Sequence, residues 1–115
     1  MLVNIPPGTI DDLFVHRYQT DQLLVARGSF VLVVLQNRKY QYIPLSESQP
    51  KIVRIPPQVP HAAINLSNSP RVLVNAVLRH GDPHDRDYRP LRRPIPYDMD
   101  IARKCLQEID APKLV

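Results

Sequence analysis

Thirteen prolines against three glycines in 115 residues constrain this chain more than any other feature. Proline fixes φ and has no amide hydrogen, so it breaks helices and is kept out of central strands. Here the prolines fall between short apolar runs, a spacing that suits an all-β chain with stiff turns. Leu13-Phe14-Val15-His16 reads as a short strand, and Gln22 to Ala26 as another that stops at Arg27-Gly28. Phe30-Val31-Leu32-Val33-Val34-Leu35 is the strongest strand in the sequence. It is apolar at every position, so both faces need cover, one from a barrel interior and the other from a second layer or a subunit. Asn37-Arg38 gives a tight turn into Lys39-Tyr40-Gln41-Tyr42-Ile43, and the pair reads as a hairpin. Lys51 to Ile55 alternates and stops at Pro56-Pro57, Ala62 to Asn65 is short, and Arg71 to Leu78 closes the set. About seven short strands with regular turn signals mean a sandwich or a barrel.

Beyond Leu78 the character changes. His80 to Pro96 is charged and proline-rich, and an ordered but irregular arm is expected there. From Asp98 onward, Ile101, Ala102, Cys105, Leu106 and Ile109 share one helical face. Asp98 or Asp100 can cap the N-terminus of this helix, and Pro112 follows its end. The expected organisation is one domain: a barrel over 1–79, the arm over 80–97, and a helix over 98–110 packed on the barrel or on a partner subunit.

Composition excludes several classes. No apolar run approaches the roughly 18–20 residues that span a bilayer, so no membrane partner is expected. The run Met1 to Pro7 has neither a basic region nor a cleavable apolar stretch and does not read as a signal peptide. A lone cysteine, Cys105, leaves no internal disulfide framework, points to a reduced, cytoplasmic setting, and reads as inert core of the helix. The net charge of +4 would favour an anionic partner. The cluster Arg79, Arg86, Arg89, Arg92 and Arg93 is interleaved with Asp82, Asp85 and Asp87, however, and reads as a solvated, salt-bridged surface. Tyr88 and Tyr97 stand apart from one another, so the stacking pattern of a nucleic-acid binder is missing.

Two stretches carry residues suited to chemistry. His16-Arg17-Tyr18 is followed by Asp21 and then Gly28, and Pro56-Pro57-Gln58-Val59-Pro60-His61 leads to Asn65. They resemble the two signature motifs of the cupins, G-x5-H-x-H-x3,4-E-x6-G and G-x5-P-x-G-x2-H-x3-N. His16 stands at the first histidine, Tyr18 replaces the second, and Asp21 replaces the glutamate with a gap one residue short. In the second motif Gln58 replaces a glycine, while His61 and Asn65 match. Residues 13 to 78 carry the resemblance. Within the cupins the chain is similar to the deoxysugar-nucleotide branch, the dTDP-4-dehydrorhamnose 3,5-epimerases and dTDP-4-keto-6-deoxyhexose 3,4-ketoisomerases. The stretches involved are Asp21 to Phe30, Ile55 to His61 with Asn65-Leu66-Ser67, and Leu78 to Tyr88.

The resemblance implies a single cupin-type jelly-roll β-barrel with a short C-terminal helix, assembled as a homodimer. It also implies metal-independent proton transfer on a dTDP-4-keto-sugar, with His16 as base and Tyr18 as acid. Two apart on a strand, these side chains would enter one cavity. Arg17, Arg27, His61, Arg79 and Arg86 would bind substrate, arginine being the residue that grips phosphate in a bidentate way. The family's lysine on the next strand and its tyrosine on the late strand have no counterpart here. No cofactor is expected on this reading. Two alternatives stay open: a divalent metal held by His16, Asp21 and His61, and a non-catalytic cupin that binds a small ligand or serves oligomerisation.

Overall fold

The double-sided apolar strand organises the molecule. In the computed structural model, which describes residues 1–81 and 87–111, β4 (Ser29–Gln36) turns Phe30, Leu32 and Val34 to one side. Val31 and Val33 go to the other, and all five side chains are buried. The remaining strands are β1 (Leu2–Ile5), β2 (Leu13–His16), β3 (Gln19–Arg27), β5 (Lys39–Ser46), β6 (Val53–Ile55), β7 (His61–Ile64), β8 (Arg71–Asn75), β9 (Leu78–Arg79) and β10 (Tyr88–Leu91). They form two antiparallel sheets, one in the order β1-β8-β3-β6 with β9 on β3, the other in the order β10-β2-β7-β4-β5. The inner faces enclose Ile5, Leu23, Val25, Phe30, Leu32 and Leu73. Each such side chain contributes about 2 kcal/mol by leaving water.

The outer face of β4 is covered by the chain itself. Helix α1 (Met99–Asp110) lies over β4 and β5, where Ala102 and Tyr97 close on Leu13, Val31, Val33 and Ile64. Asp98 is the N-cap, its side chain accepting from the amides of Asp100 (3.1 Å) and Ile101 (3.2 Å). At the other end, Ser29 Oγ donates to the Asp110 carboxylate at 2.9 Å. The expected apolar helix face is corrected in two places. Ile101 is 44% exposed, and Cys105 is half-buried rather than core. Pro112 lies outside the described residues.

The hairpin forms as the sequence predicts. Asn37 (φ 54°) and Arg38 (φ 63°) both take the left-handed conformation that a two-residue turn between twisted strands requires, and Gln36 pairs with Lys39. Other boundaries move. β3 begins at Gln19, three residues before the predicted start, which brings Gln19 and Asp21 onto its inward face. The stretch Arg71 to Leu78 is not one strand, because pairing with β3 stops at Asn75 and resumes at Leu78. The N-terminal strand β1, paired with β8, was not predicted. The arm is not irregular throughout: Tyr88–Leu91 pairs with β2, placing Pro90 opposite Phe14. Proline is tolerated there because β10 is an edge strand with no neighbour on its far side.

Candidate functional site

Between the sheets lies a cavity of about 770 Å³. Its apolar wall includes Val3, Ile5, Leu23, Phe30, Leu32 and Leu73, and its polar lining includes His16, Gln19, Asp21, His61, Asn75 and Arg79. Three strands deliver the central group: His16 is the last residue of β2, Asp21 an inward residue of β3, and His61 the first residue of β7. The pairing of Phe14 with His61 sets β2 beside β7. The Phe14 ring meets the His61 ring edge-on at 4.4 Å and the His16 ring at 6.0 Å.

Each nitrogen and oxygen of this group is oriented by a neighbour. Val59 O can only accept, so His61 Nδ1 donates to it at 3.0 Å and Nε2 is the nitrogen that meets Asp21 Oδ2, at 3.1 Å. His16 turns Nδ1 to Asp87 Oδ2 at 3.2 Å and Nε2 toward Asp21 Oδ2 at 3.6 Å. Gln19 Nε2 donates to the second oxygen of Asp21 at 2.7 Å. Burial alone would raise the Asp21 carboxyl. The hydrogen bonds of His61, Gln19 and Asn75, with the charge of His16, outweigh it and hold the group at about 2, against an ordinary 3.8.

Asp87 belongs to this site, which corrects for that residue the reading of the arginine–aspartate cluster as a solvated, salt-bridged surface; Asp82 and Asp85 lie outside the described residues. Its side chain is only 9% exposed. Besides His16, it accepts from the amides of Arg17 at 2.9 Å and Tyr18 at 2.5 Å. Of the cluster arginines, Arg93 pairs with Asp12 at 2.7 Å instead.

No family model matches this sequence, and no curated protein matches it. Solved structures do. CapF, a capsular polysaccharide assembling protein from Staphylococcus aureus, superposes with a TM-score of 0.69 at 21% identity over 80% of this chain and 27% of that one. A dTDP sugar isomerase from Desulfovibrio desulfuricans gives 0.68 at 16% identity over 89% of this chain and 66% of that one. An uncharacterised protein with a double-stranded β-helix domain from Klebsiella pneumoniae gives 0.58 at 17% identity, over 80% of this chain and 72% of that one. The fold is that of the cupins. This chain therefore spans about a quarter of CapF and just under two thirds of the isomerase.

Within this barrel the sequence-predicted residues separate into two groups. His16, Asp21 and His61 come together, with one ligand atom from each lying within 4.8 Å of the others. Arg79 lines the cavity with them. Tyr18 does not share the cavity with His16, as expected from strand alternation; it is 46% exposed and outside the lining. β2 ends at His16, and residues 17 and 18 form a bend whose amides both point at Asp87, so the alternation stops one residue too soon. Arg17 is half-buried and outside the lining, and Arg27 is exposed at the opposite end of β3 from the site, roughly 20 Å from Asp21 along the strand. Arg86 lies outside the described residues.

Sequence reasoning missed Asp87, Gln19 and Asn75. The signal for Asp87 was present in the resemblance of the segment ending Asp85-Arg86-Asp87-Tyr88. For Gln19 the signal was the period of two that joins it to Asp21, Leu23 and Val25.

Proposed function

We propose that this cupin barrel binds a nucleotide-linked keto-sugar and that His16 takes a proton from the carbon next to its ketone without a metal. One observation carries the reading: His16 stands in the wall of a largely apolar cavity with Nδ1 held by a buried carboxylate. Asp87 fixes the ring and favours the imidazolium that forms when Nε2 accepts a proton. The apolar wall keeps water away, so the few polar groups act in a low dielectric. Arg79 supplies a guanidinium for the phosphate part of the ligand. Tyr18, outside the lining, takes no part at the reacting carbon.

The test is exchange of the α-proton of a dTDP-4-keto-sugar with deuterated solvent, followed by NMR beside a thermal-shift titration. Stabilisation by the ligand and exchange that His16→Ala abolishes are the expected results. Stabilisation without exchange would leave a binding protein, and no stabilisation by any nucleotide sugar would overturn the proposal.

A second reading has its own observation. Three ligand atoms from two imidazoles and a carboxylate converge, and each imidazole is held through its other nitrogen by an acceptor, the arrangement that orients metal-binding histidines. A divalent ion held by His16, Asp21 and His61 would act as a Lewis acid on a ligand oxygen. The readings part at His16 Nε2, which cannot both bind a metal and accept a proton. Metal that copurifies in stoichiometric amount and is lost in His61→Ala favours the second. We also propose a homodimer, to be checked by light scattering; the apolar outer face of β4 does not require it, since α1 already covers that face.

A further inference from the structure

The cavity carries five titratable or charged side chains. Three of them, His16, Asp21 and His61, are tied to one another. The other two, Asp11 and Arg79, have opposite charge and no hydrogen-bond or ion-pair partner among the described residues. Arg79 has a role in the function proposed above. Asp11 has none.

Asp11 is held firmly. Its amide donates to Ala63 O at 3.3 Å, and its carbonyl accepts from the Tyr97 hydroxyl at 2.8 Å. Ala63 follows His61 by two residues on β7, so Asp11 is anchored about 7 Å along the sheet from the Phe14–His61 pair. Its neighbour Asp12 faces elsewhere and is engaged by Arg93 at 2.7 Å. Asp11 lines the cavity but is an exposed residue; its partial burial, with the nearby charge of Asp12, raises its pKa above the usual carboxylate range. A carboxyl so placed gains from any donor that a ligand brings.

We propose that Asp11 is a ligand-reading residue of this cavity, accepting hydrogen bonds from the hydroxyl groups of a sugar ring whose anionic part lies at Arg79. The inference rests on the nucleotide-sugar reading and adds to it a carboxylate that selects for a hydroxylated ring. Apolar wall alone would not distinguish a sugar from an isosteric ring without hydroxyls. A hydrogen bond to a charged acceptor does.

The experiment compares dTDP-glucose with thymidine diphosphate by calorimetric titration of the wild type, Asp11→Asn, Asp11→Glu and Asp12→Asn. Asp11→Asn keeps the shape and removes the charge. It should weaken dTDP-glucose at least about tenfold and leave thymidine diphosphate within about twofold. Asp11→Glu, with the charge kept but displaced, should also weaken dTDP-glucose, and Asp12→Asn should change neither ligand. Unchanged dTDP-glucose affinity in Asp11→Asn, with the wild type binding both ligands, overturns the role of Asp11 and leaves the proposed function standing. Equal weakening of both ligands also overturns it, since Asp11 would then act through the cavity's structure. A wild type that binds neither ligand overturns the proposed function, and this inference with it.

Discussion

Gln58 sits where the cupin motif places a glycine, and its backbone keeps the glycine conformation, with φ at 70°. The turn at Pro57-Gln58 needs it, because the Gln58 amide must reach His16 O at 2.7 Å to close β2 against the approach to His61. A side chain in the left-handed region costs about 1 kcal/mol, so Gln58→Gly should stabilise the protein by about that amount in urea unfolding, without loss of ligand binding. Asp87 is the opposite case, a side chain with more partners than it can lose. Asp87→Ala leaves two amides and His16 Nδ1 without their acceptor and should cost on the order of 3 kcal/mol, with nucleotide-sugar binding weakened as well. An intact ligand response in Asp87→Ala would show that His16 needs no holding. His16, Asp21 and His61 were legible in the sequence because they stand at positions of the two motifs, one on β2 and β3 and the other on β7. Asp87 was legible only through the resemblance of the segment Leu78 to Tyr88, because its partner lies 71 residues away and its own neighbours are charged.

The strand buried on both faces announces itself, and so do edge strands that alternate, such as β5 and β6; β1 and β10 do neither. β4 pairs on both sides and is covered on both faces, so its apolar run is unbroken. β1 and β10 each have one neighbour, and their sequences keep polar residues and, in β10, a proline. β1 is nonetheless fastened by a side chain that sequence patterning cannot weigh. Asn65, fully buried, donates through Nδ2 to Ile5 O, Pro6 O and Ser69 O at 3.0–3.1 Å, and its Oδ1 accepts from the amide and hydroxyl of Ser67. It ties the end of β1 to the turn between β7 and β8. This motif residue thus holds structure and stands outside the cavity lining. Asn65→Ala should lose on the order of 3 kcal/mol, read as a lower midpoint in urea unfolding, with the cavity's ligand preference unchanged in the folded fraction.

At the scale of the whole molecule, two buried groups set how the fold responds to pH, one at each end. Asp21 is held at about 2, below its ordinary 3.8. The stability it adds is present above the ordinary value and is lost as pH falls through about 2. Asp21→Asn should therefore flatten the acid limb of a stability profile. The alkaline limb belongs to Tyr97, which joins the arm, the helix and the loop before β2. Its ring packs on Tyr40 at 5.0 Å and under the Arg93 guanidinium at 4.4 Å, and its hydroxyl donates to Asp11 O at 2.8 Å. Burial pushes the Tyr97 hydroxyl up to about 12 from 10, although Arg93 pulls the other way. A tyrosine with a raised pKa favours the fold while the unfolded chain also holds its proton. That contribution is complete below an ordinary tyrosine's pKa and disappears as pH climbs through the raised one. Thermal unfolding followed across this window should show a falling Tm in the wild type. Tyr97→Phe should start lower, having lost the bond to Asp11, and fall less steeply, while Tyr18→Phe, at an exposed position, should follow the wild-type slope. Equal slopes in Tyr97→Phe and the wild type would place the alkaline sensitivity elsewhere and separate Tyr97 from the locking of helix to barrel.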